Sequence, residues 1–384
     1  MLKNSIANVS DRIEYVLPTG HRKSLKKILM TADTVGGVWV YALELAQALS
    51  KKGIQTILAS MGAPVTSEQR QEAQRIPHLE LCESSFKLEW MEDPWPEVKQ
   101  AGQWLLQLEK LFEPDLVHLN GYAHGSLPWR APTLMVGHSC VLSWWQAVKG
   151  EPAPANWNQY WRQVRRGLRS ADLVVAPTQA MLTALEEHYG PLANRKVIAN
   201  GRDSALFRPG KKEPFIFAAG RLWDEAKNIM ILEQVAPALA WPVYVAGNTQ
   251  HPAGRRVEFS HLRLLGCLPA QVLLPLFGRA SIYALPARYE PFGLSALEAA
   301  LAGCALVLGD IASLREVWGE AALYIPPDEP KAIEDALQLL IKDAAYRQEL
   351  AARARLRALK YTTQGMANSY LAVYRELVYA REFV

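Results

Sequence analysis

Arg288-Tyr-Glu290-Pro-Phe-Gly293-Leu-Ser-Ala-Leu-Glu298-Ala-Ala-Leu-Ala-Gly303 is the stretch from which the fold can be read. A continuous apolar run at 281–285 precedes it, and another at 305–308 follows it. Runs of that length without polar alternation fit strands buried on both faces. Between them Pro291 and Gly293 mark a loop, and an Ala/Leu-rich segment beginning near Ser295 has the composition of a helix. Strand, loop, helix and strand in that order make a βαβ unit, whose two strands lie parallel. The apolar stretch 296–308 therefore divides into a buried helix and a buried strand.

The same alternation extends in both directions. Upstream, strand-like runs fall at 27–31, 56–60, 116–119, 133–136, 173–176 and 196–199. A second set falls at 215–219, 243–246, 262–265, 281–285, 305–308 and 322–325. Helical patterns separate them, so each set predicts a parallel sheet covered on both faces. Turn-forming residues crowd between the sets, at Asn200-Gly201-Arg202-Asp203 and Phe207-Arg208-Pro209-Gly210. The expected architecture is α/β, with two Rossmann-like doubly wound domains facing across a cleft. Their expected extents are residues 1–200, with a polar extension over 1–25, and residues 201–365. A last helical segment, 366–384, is expected to pack back on the N-terminal domain. In such sheets ligands bind beyond the C-terminal ends of the strands.

Composition sets limits on function. The chain has 384 residues, of which half are apolar and 21% charged, enough for two sizeable cores. Its net charge of +4 suits a small anionic ligand and is too slight to argue for nucleic acid. The four cysteines, Cys82, Cys140, Cys267 and Cys304, are widely spaced and form no Cys-x-x-Cys pair, so neither structural zinc nor a disulfide framework is expected. That pattern fits a reducing, cytoplasmic setting. Asp11 and Glu14 interrupt the place where the apolar run of a signal peptide would sit. Lys23, Lys26 and Lys27 offer a candidate contact with the inner face of an anionic membrane, or a solvated face.

Within the opening stretch, a helix start near Gly293 presents free backbone N–H groups and the positive end of a dipole, which suits phosphate. Glu290 and Glu298 can accept hydrogen bonds from sugar or ribose hydroxyls. Ser295 and Glu298 also have the Ser-x-x-Glu spacing of a capping box, which would make Glu298 a helix cap. Arg221 and Lys227 flank the loop after the run 215–219, and two cations there suit a diphosphate. Gly36-Gly37 stands between the first strand and a helix. It is not a Gly-x-Gly-x-x-Gly fingerprint, which counts against a dinucleotide oxidoreductase. His138 follows the run 133–136, His118 and His124 flank the run 116–119, and Trp144, Trp145, Trp157 and Trp161 surround a proline-containing loop. Aromatic rings there can stack on sugars or pack a core.

Two glutamates eight positions apart around Pro-Phe-Gly-Leu, followed by Glu-Ala-x-x-x-Gly, resemble the signature of the retaining glycosyltransferases of family 4, which have the GT-B fold. The resemblance extends to Gly36-Gly37, Asp115-Leu-Val-His118, the Asn200-Gly201 turn, Gly220-Arg221-Leu222 and the closing Tyr370-x-x-x-Tyr374-Arg-Glu-Leu. It implies an acceptor-binding N-terminal domain and a nucleotide-sugar-binding C-terminal domain. By that likeness Glu298 meets the ribose, and Glu290 meets hydroxyls of the donor sugar. Phe292, Gly293 and Leu294 offer backbone groups to sugar and phosphates, Arg221 and Lys227 hold the pyrophosphate, and His138 contacts the sugar. The Arg221-to-Lys227 spacing is one residue longer than the family's commoner one. His118, Trp144 and Trp145 are candidates for the acceptor side.

The implied reaction moves a hexose from a nucleoside diphosphate sugar, with UDP-glucose expected, to a glycan, lipid-linked or small-molecule acceptor. No Asp-x-Asp occurs, so no metal or other cofactor is expected; the resemblance implies that a donor phosphate oxygen takes the acceptor proton. Rival readings are a nucleotide-sugar epimerase or phosphorylase on a similar fold, and a non-catalytic sugar-binding protein. The sequence carries no sign of the oligomeric state.

Overall fold

The structure, a computed structural model, describes residues 24–250, 254 and 256–381. Lys23 and most of the polar extension lie outside the described residues. The first sheet contains β1 (Lys27–Asp33), β2 (Gln55–Met61), β3 (Leu79–Cys82), β4 (Leu116–Leu119), β5 (Thr133–Val136), β6 (Leu173–Ala176) and β7 (Arg195–Val197). The second contains β8 (Glu213–Ala219), β9 (Val243–Ala246), β10 (Arg263–Gly266), β11 (Ala280–Leu285), β12 (Ala305–Gly309) and β13 (Leu323–Ile325). Their strand orders are 3-2-1-4-5-6-7 and 10-9-8-11-12-13. Neighbouring strands run parallel throughout both sheets. Both domains are doubly wound α/β units, as the alternation of runs and helices predicts.

Each sheet reverses its winding beside its first strand, between β1 and β4 and between β8 and β11. Those are the points where helices leave opposite faces and a crevice opens at the strand ends. The alternation along β1 is visible in its packing. Ile28 and Met30 enter one core and Leu29 the core on the opposite face. Each such side chain contributes roughly 1.5–3 kcal/mol on burial. β3 was not expected, because Glu80 interrupts its short Leu-Glu-Leu-Cys run, and it lies at the sheet edge with no residue fully buried.

The chain passes between domains twice, and the two passages lie side by side. Arg202 N donates to Tyr361 O at 3.1 Å, and Arg202 bridges to Thr362. Thr362 caps the helix Thr363–Ala380 through its hydroxyl. Met366, Ala367, Tyr370, Leu371, Tyr374 and Val378 of that helix recur at helical spacing and share a core with Ile28, Met30 and Leu116 of the first sheet.

The loops beyond β8 and β9 touch backbone to backbone. Gly247 has φ +145°, and a Cβ there would stand 1.7 Å from Gly220 O. Gly220 immediately precedes Arg221, so this approach helps place the arginine. Gly247→Ala is expected to cost about 2–3 kcal/mol from backbone strain and overpacking. Thermal unfolding indistinguishable from the parent protein would show that this approach does not matter.

Candidate active site

The residues quoted from the two domains meet where the strand ends face each other. Gly36 is the N-cap of the helix Gly37–Ser50 and offers no side-chain cap, while its own N–H is turned to the Asp33 carboxylate. A Cβ on Gly36 would lie 3.3 Å from Arg221 Nη1. One on Gly37 would lie 3.6 Å from Leu294 Cδ1. The glycine turn of the first domain therefore sits directly against the arginine and the signature loop of the second. Asp33, at the end of β1, also faces this point. Burial raises its carboxyl above the usual range, against the opposing pull of its bond from Val35 and the charge of Arg221.

Arg221 is held from below by Asp224, Nη2 to Oδ2 at 2.8 Å, and its own side chain keeps 39% exposure. It is therefore oriented yet open to a ligand. Asp224 is 5% exposed and also accepts from Trp144 Nε1 at 3.1 Å and Ala226 N at 3.0 Å. Burial opposes its ionisation, but Arg221, Lys227 and the bond from Trp144 outweigh that and hold the carboxyl below the usual range. Trp144 thus spans the cleft from the N-terminal domain, edge-on to Trp145 at 5.9 Å. Lys149 Nζ adds a second bridge to Glu225 at 2.5 Å.

The signature loop is built around Glu290. Gly293, with φ +88° and ψ +60°, is the N-cap of the helix Leu294–Leu301, a left-handed conformation that glycine adopts without steric cost. Glu290 Oε1 accepts from Gly293 N at 2.9 Å and, at a longer 3.4 Å, from Phe292 N. Its other oxygen is bonded to Lys227 Nζ. Burial opposes ionisation of Glu290, yet Lys227 and these N–H groups hold its carboxyl below the usual range. Phe292 itself is buried against Tyr361, ring centres 5.5 Å apart, so only its backbone faces the loop. The arrangement is a carboxylate resting on a helix start and a lysine, the same groups that would hold a phosphate.

Glu298 is not the cap that its spacing allows. The helix begins at Leu294, a residue earlier than expected, and has no side-chain cap, so Glu298 falls in its second turn. Its carboxylate faces Arg202, with Nε 3.0 Å from Oε1 although off the line of a good hydrogen bond. The same guanidinium reaches Glu44 Oε1 at 2.6 Å, and Glu44 accepts from Thr363 Oγ1 at 2.7 Å. Arg202 also lies 5.0 Å over the Phe207 ring. One arginine in the linker therefore joins a helix from each domain. Burial raises the Glu298 carboxyl, Arg202 opposes the rise, and Glu44 adds to it.

His138, partly exposed, bonds through Nε2 to Asn120 Oδ1 at 2.7 Å, and burial pushes its imidazole down to about 3. It is neutral at physiological pH. The expectation that His118 lines the acceptor side is corrected. His118 is 0% exposed, bonds Tyr374 through Nδ1 and Asn120 through Nε2, and is likewise pushed down to about 3 by burial. It points with Leu116 into the core under the C-terminal helix. The Lys27 ammonium donates to Phe112 O at 2.7 Å. Asp33, Asp224, Arg202 and Glu44 were not assigned roles from sequence. Among the described residues no group of three or more His, Cys, Asp or Glu could hold a metal, and Cys82, Cys140, Cys267 and Cys304 are free.

Residues 35–206 match the model of "Glycosyltransferase Family 4", and residues 213–343 that of "Glycosyl transferases group 1". Over 227 residues the chain is 30% identical to a glycogen synthase of Mycobacterium tuberculosis, covering 54% of this chain and 55% of the relative, so it spans about half the length of that protein. Among solved structures, sucrose-phosphate synthase from Thermosynechococcus elongatus superposes with a TM-score of 0.78 at 17% identity, covering 92% of this chain and all of that one. Anabaena HepE, solved in complex with UDP-glucose, gives 0.71 at 17% identity over 91% of this chain and 100% of that one. The two models cover one domain each, and the sheets they fall on are the two doubly wound halves described above. The chain belongs to the group 1 glycosyltransferases and has the GT-B fold.

Proposed function

We propose that the chain is a retaining glycosyltransferase that moves a hexose from a UDP-linked donor, UDP-glucose or a similar sugar, to a glycan, lipid-linked or small-molecule acceptor, as in polysaccharide biosynthesis. One observation carries this reading: Arg221 and the helix start at Gly293–Leu294 face Gly36-Gly37, with Lys227 bonded to Glu290 of the same signature loop. Two cations, each oriented by its own carboxylate, and two helix starts line the same cleft, where a nucleoside diphosphate would draw on both. HepE, with the same fold, was solved with UDP-glucose, which supports the choice of donor.

In this reading Arg221 and Lys227 stabilise the charge that develops on the departing diphosphate. Glu290, held ionised by Lys227, accepts from hydroxyls of the sugar, and His138 meets the same ring. Backbone groups of Phe292, Gly293 and Leu294 complete the cradle. Glu298 takes the ribose, with Arg202 orienting it. Trp144 and Trp145 border the acceptor side. A donor phosphate oxygen takes the acceptor proton, so no metal or other cofactor takes part. The residues before 201 serve the acceptor and those of 201–365 the donor. We place the chain in the cytoplasm, with peripheral contact at the inner membrane face as a further part of the proposal. Among the described residues no helix is long and apolar enough to cross a membrane.

A thermal-shift series with UDP-, GDP- and ADP-sugars tests the donor. A nucleotide sugar at a hundred times its Kd adds about 2.7 kcal/mol to stability, so the matching donor raises the melting temperature and the others do not. Product of retained anomeric configuration, formed at an unchanged rate after chelator treatment, is expected once an acceptor is found. A melting temperature unmoved by every nucleotide sugar would favour the non-catalytic reading.

A further inference from the structure

The polar chain behind His138 is fixed by the chemistry of one amide. Asn120 Nδ2 lies 2.7 Å from Thr31 O, a backbone carbonyl that can only accept. The Asn120 amide must therefore turn its NH2 to Thr31 and its oxygen the other way. Its backbone N–H, bonded to Thr31 Oγ1 at 2.8 Å, fixes the residue at a second point. Oδ1 then stands 2.7 Å from His138 Nε2 and 3.2 Å from His118 Nε2. An amide oxygen only accepts, so both imidazoles present N–H at Nε2. For His118 this leaves Nδ1 as an acceptor, and the Tyr374 hydroxyl donates to it at 2.5 Å. Thr31, Asn120, His118 and Tyr374 thereby each take one role without conflict, and the Tyr41 hydroxyl, 3.4 Å from His118 Nε2, lies on the accepting side of the same N–H. His138 Nδ1 has no hydrogen-bond partner among the described residues, and the Tyr41 ring packs edge-on against the imidazole at 4.5 Å.

We propose that Asn120 is a positioning residue that holds His138 in the Nε2–H form, so that Nδ1 meets the donor sugar as a hydrogen-bond acceptor. A neutral imidazole free in solution exchanges between two tautomers, and only one of them offers an acceptor at a given nitrogen. A locked tautomer favours a hydroxyl-bearing ligand at Nδ1 over a carbonyl or other acceptor. The assignment of the tautomer rests on Asn120 and Thr31 alone, whereas its use toward a sugar rests on the donor site proposed above.

Nitrogen-15 spectra of the whole chain, labelled at histidine, read the two parts separately. His138→Gln identifies the His138 signals by their loss. In the parent protein those signals are expected to show a protonated Nε2 and an unprotonated Nδ1. In Asn120→Ala they are expected to move toward a tautomer mixture, with kcat/KM for the donor about tenfold lower, the worth of roughly one hydrogen bond. Tyr374→Phe removes the far end of the same chain but leaves Asn120 against Thr31, so His138 is expected to keep its tautomer. His124, whose Nε2 faces Val98 O at 3.0 Å elsewhere in the domain, reports whether each variant remains folded. A parent spectrum with His138 protonated at Nδ1 overturns the proposal without any variant. So does a His138 signal that Tyr374→Phe disturbs as much as Asn120→Ala, because that is general loosening. A correct tautomer in a protein that transfers no sugar leaves the lock standing and rejects the donor reading instead.

Discussion

Lys227→Ala is expected to lower kcat about 10²- to 10³-fold, the cost of removing one preorganised charge from a transition state, with the fold retained. Two losses coincide at this position. The proposed site loses one of the cations that face the departing diphosphate. Glu290 also loses the partner that keeps it ionised, because its remaining support is the pair of N–H groups from Phe292 and Gly293. In the parent protein the Glu290 carboxyl lies below its usual value, so its contribution to stability is present above the unfolded pKa and lost as pH falls through the folded one. Without Lys227, burial is less well opposed and the carboxyl rises. The acid limb of the rate profile should therefore move to higher pH in Lys227→Ala, in addition to the lower plateau. Glu290→Gln separates the two losses, since it keeps Lys227 for the diphosphate and is expected to bind nucleotide while transferring sugar poorly. Steady-state kinetics over pH, with nucleotide affinity measured alongside, check both. A Lys227→Ala protein with parental kcat would remove the lysine from the mechanism. A Glu290→Ala protein that bound nucleotide poorly yet transferred sugar normally would mean that the roles of the two glutamates are reversed.

The fold was legible because its signals are local. Runs such as 281–285 and 305–308 carry no polar break, and the turn residues at 200–210 stand between the two sets of them. β3 escaped because an edge strand half open to solvent needs no unbroken apolar run. Within the candidate site, residues at strand ends and helix starts were proposed from position together with the family resemblance. Their partners were not. Arg202 reads as a turn residue, since nothing local tells that Glu44 and Glu298 arrive on either side of it. Asp224 reads as one loop acid among several until Trp144 reaches it from the other domain. His118 did carry a usable signal. It is two residues from Leu116 on the same strand, so both point to one face, and that face is covered by the helix bearing Tyr374. The phase of the strand, rather than the presence of a histidine near its end, decides between core and cleft.

Arg202→Met is expected to cost about 3 kcal/mol of stability, the lower part of the range for breaking a buried ion pair, because the side chains involved keep 12–15% exposure. Methionine preserves the apolar stem that packs on Phe207 and removes the charge. What remains is Glu44 facing Glu298 at the junction of the domains, with nothing cationic between them. The pH dependence identifies the cause. Burial already raises the Glu298 carboxyl in the parent protein, against the pull of Arg202 and with the push of Glu44. A group raised on folding contributes stability that is present below its unfolded pKa and lost as pH rises through its folded one. Removing Arg202 leaves the push without the pull, so the folded value climbs further. The stability deficit of the variant should be greatest at neutral to alkaline pH and should shrink as the pH is lowered toward 5. Adding Glu298→Gln to Arg202→Met should recover much of the loss at pH 8, because it removes one of the two facing charges. Denaturant melts of the single and double variants at both pH values measure this directly. A deficit equal at pH 5 and pH 8, and untouched by Glu298→Gln, would mean that Arg202 stabilises the junction through its guanidinium over the Phe207 ring instead of by holding two carboxylates together.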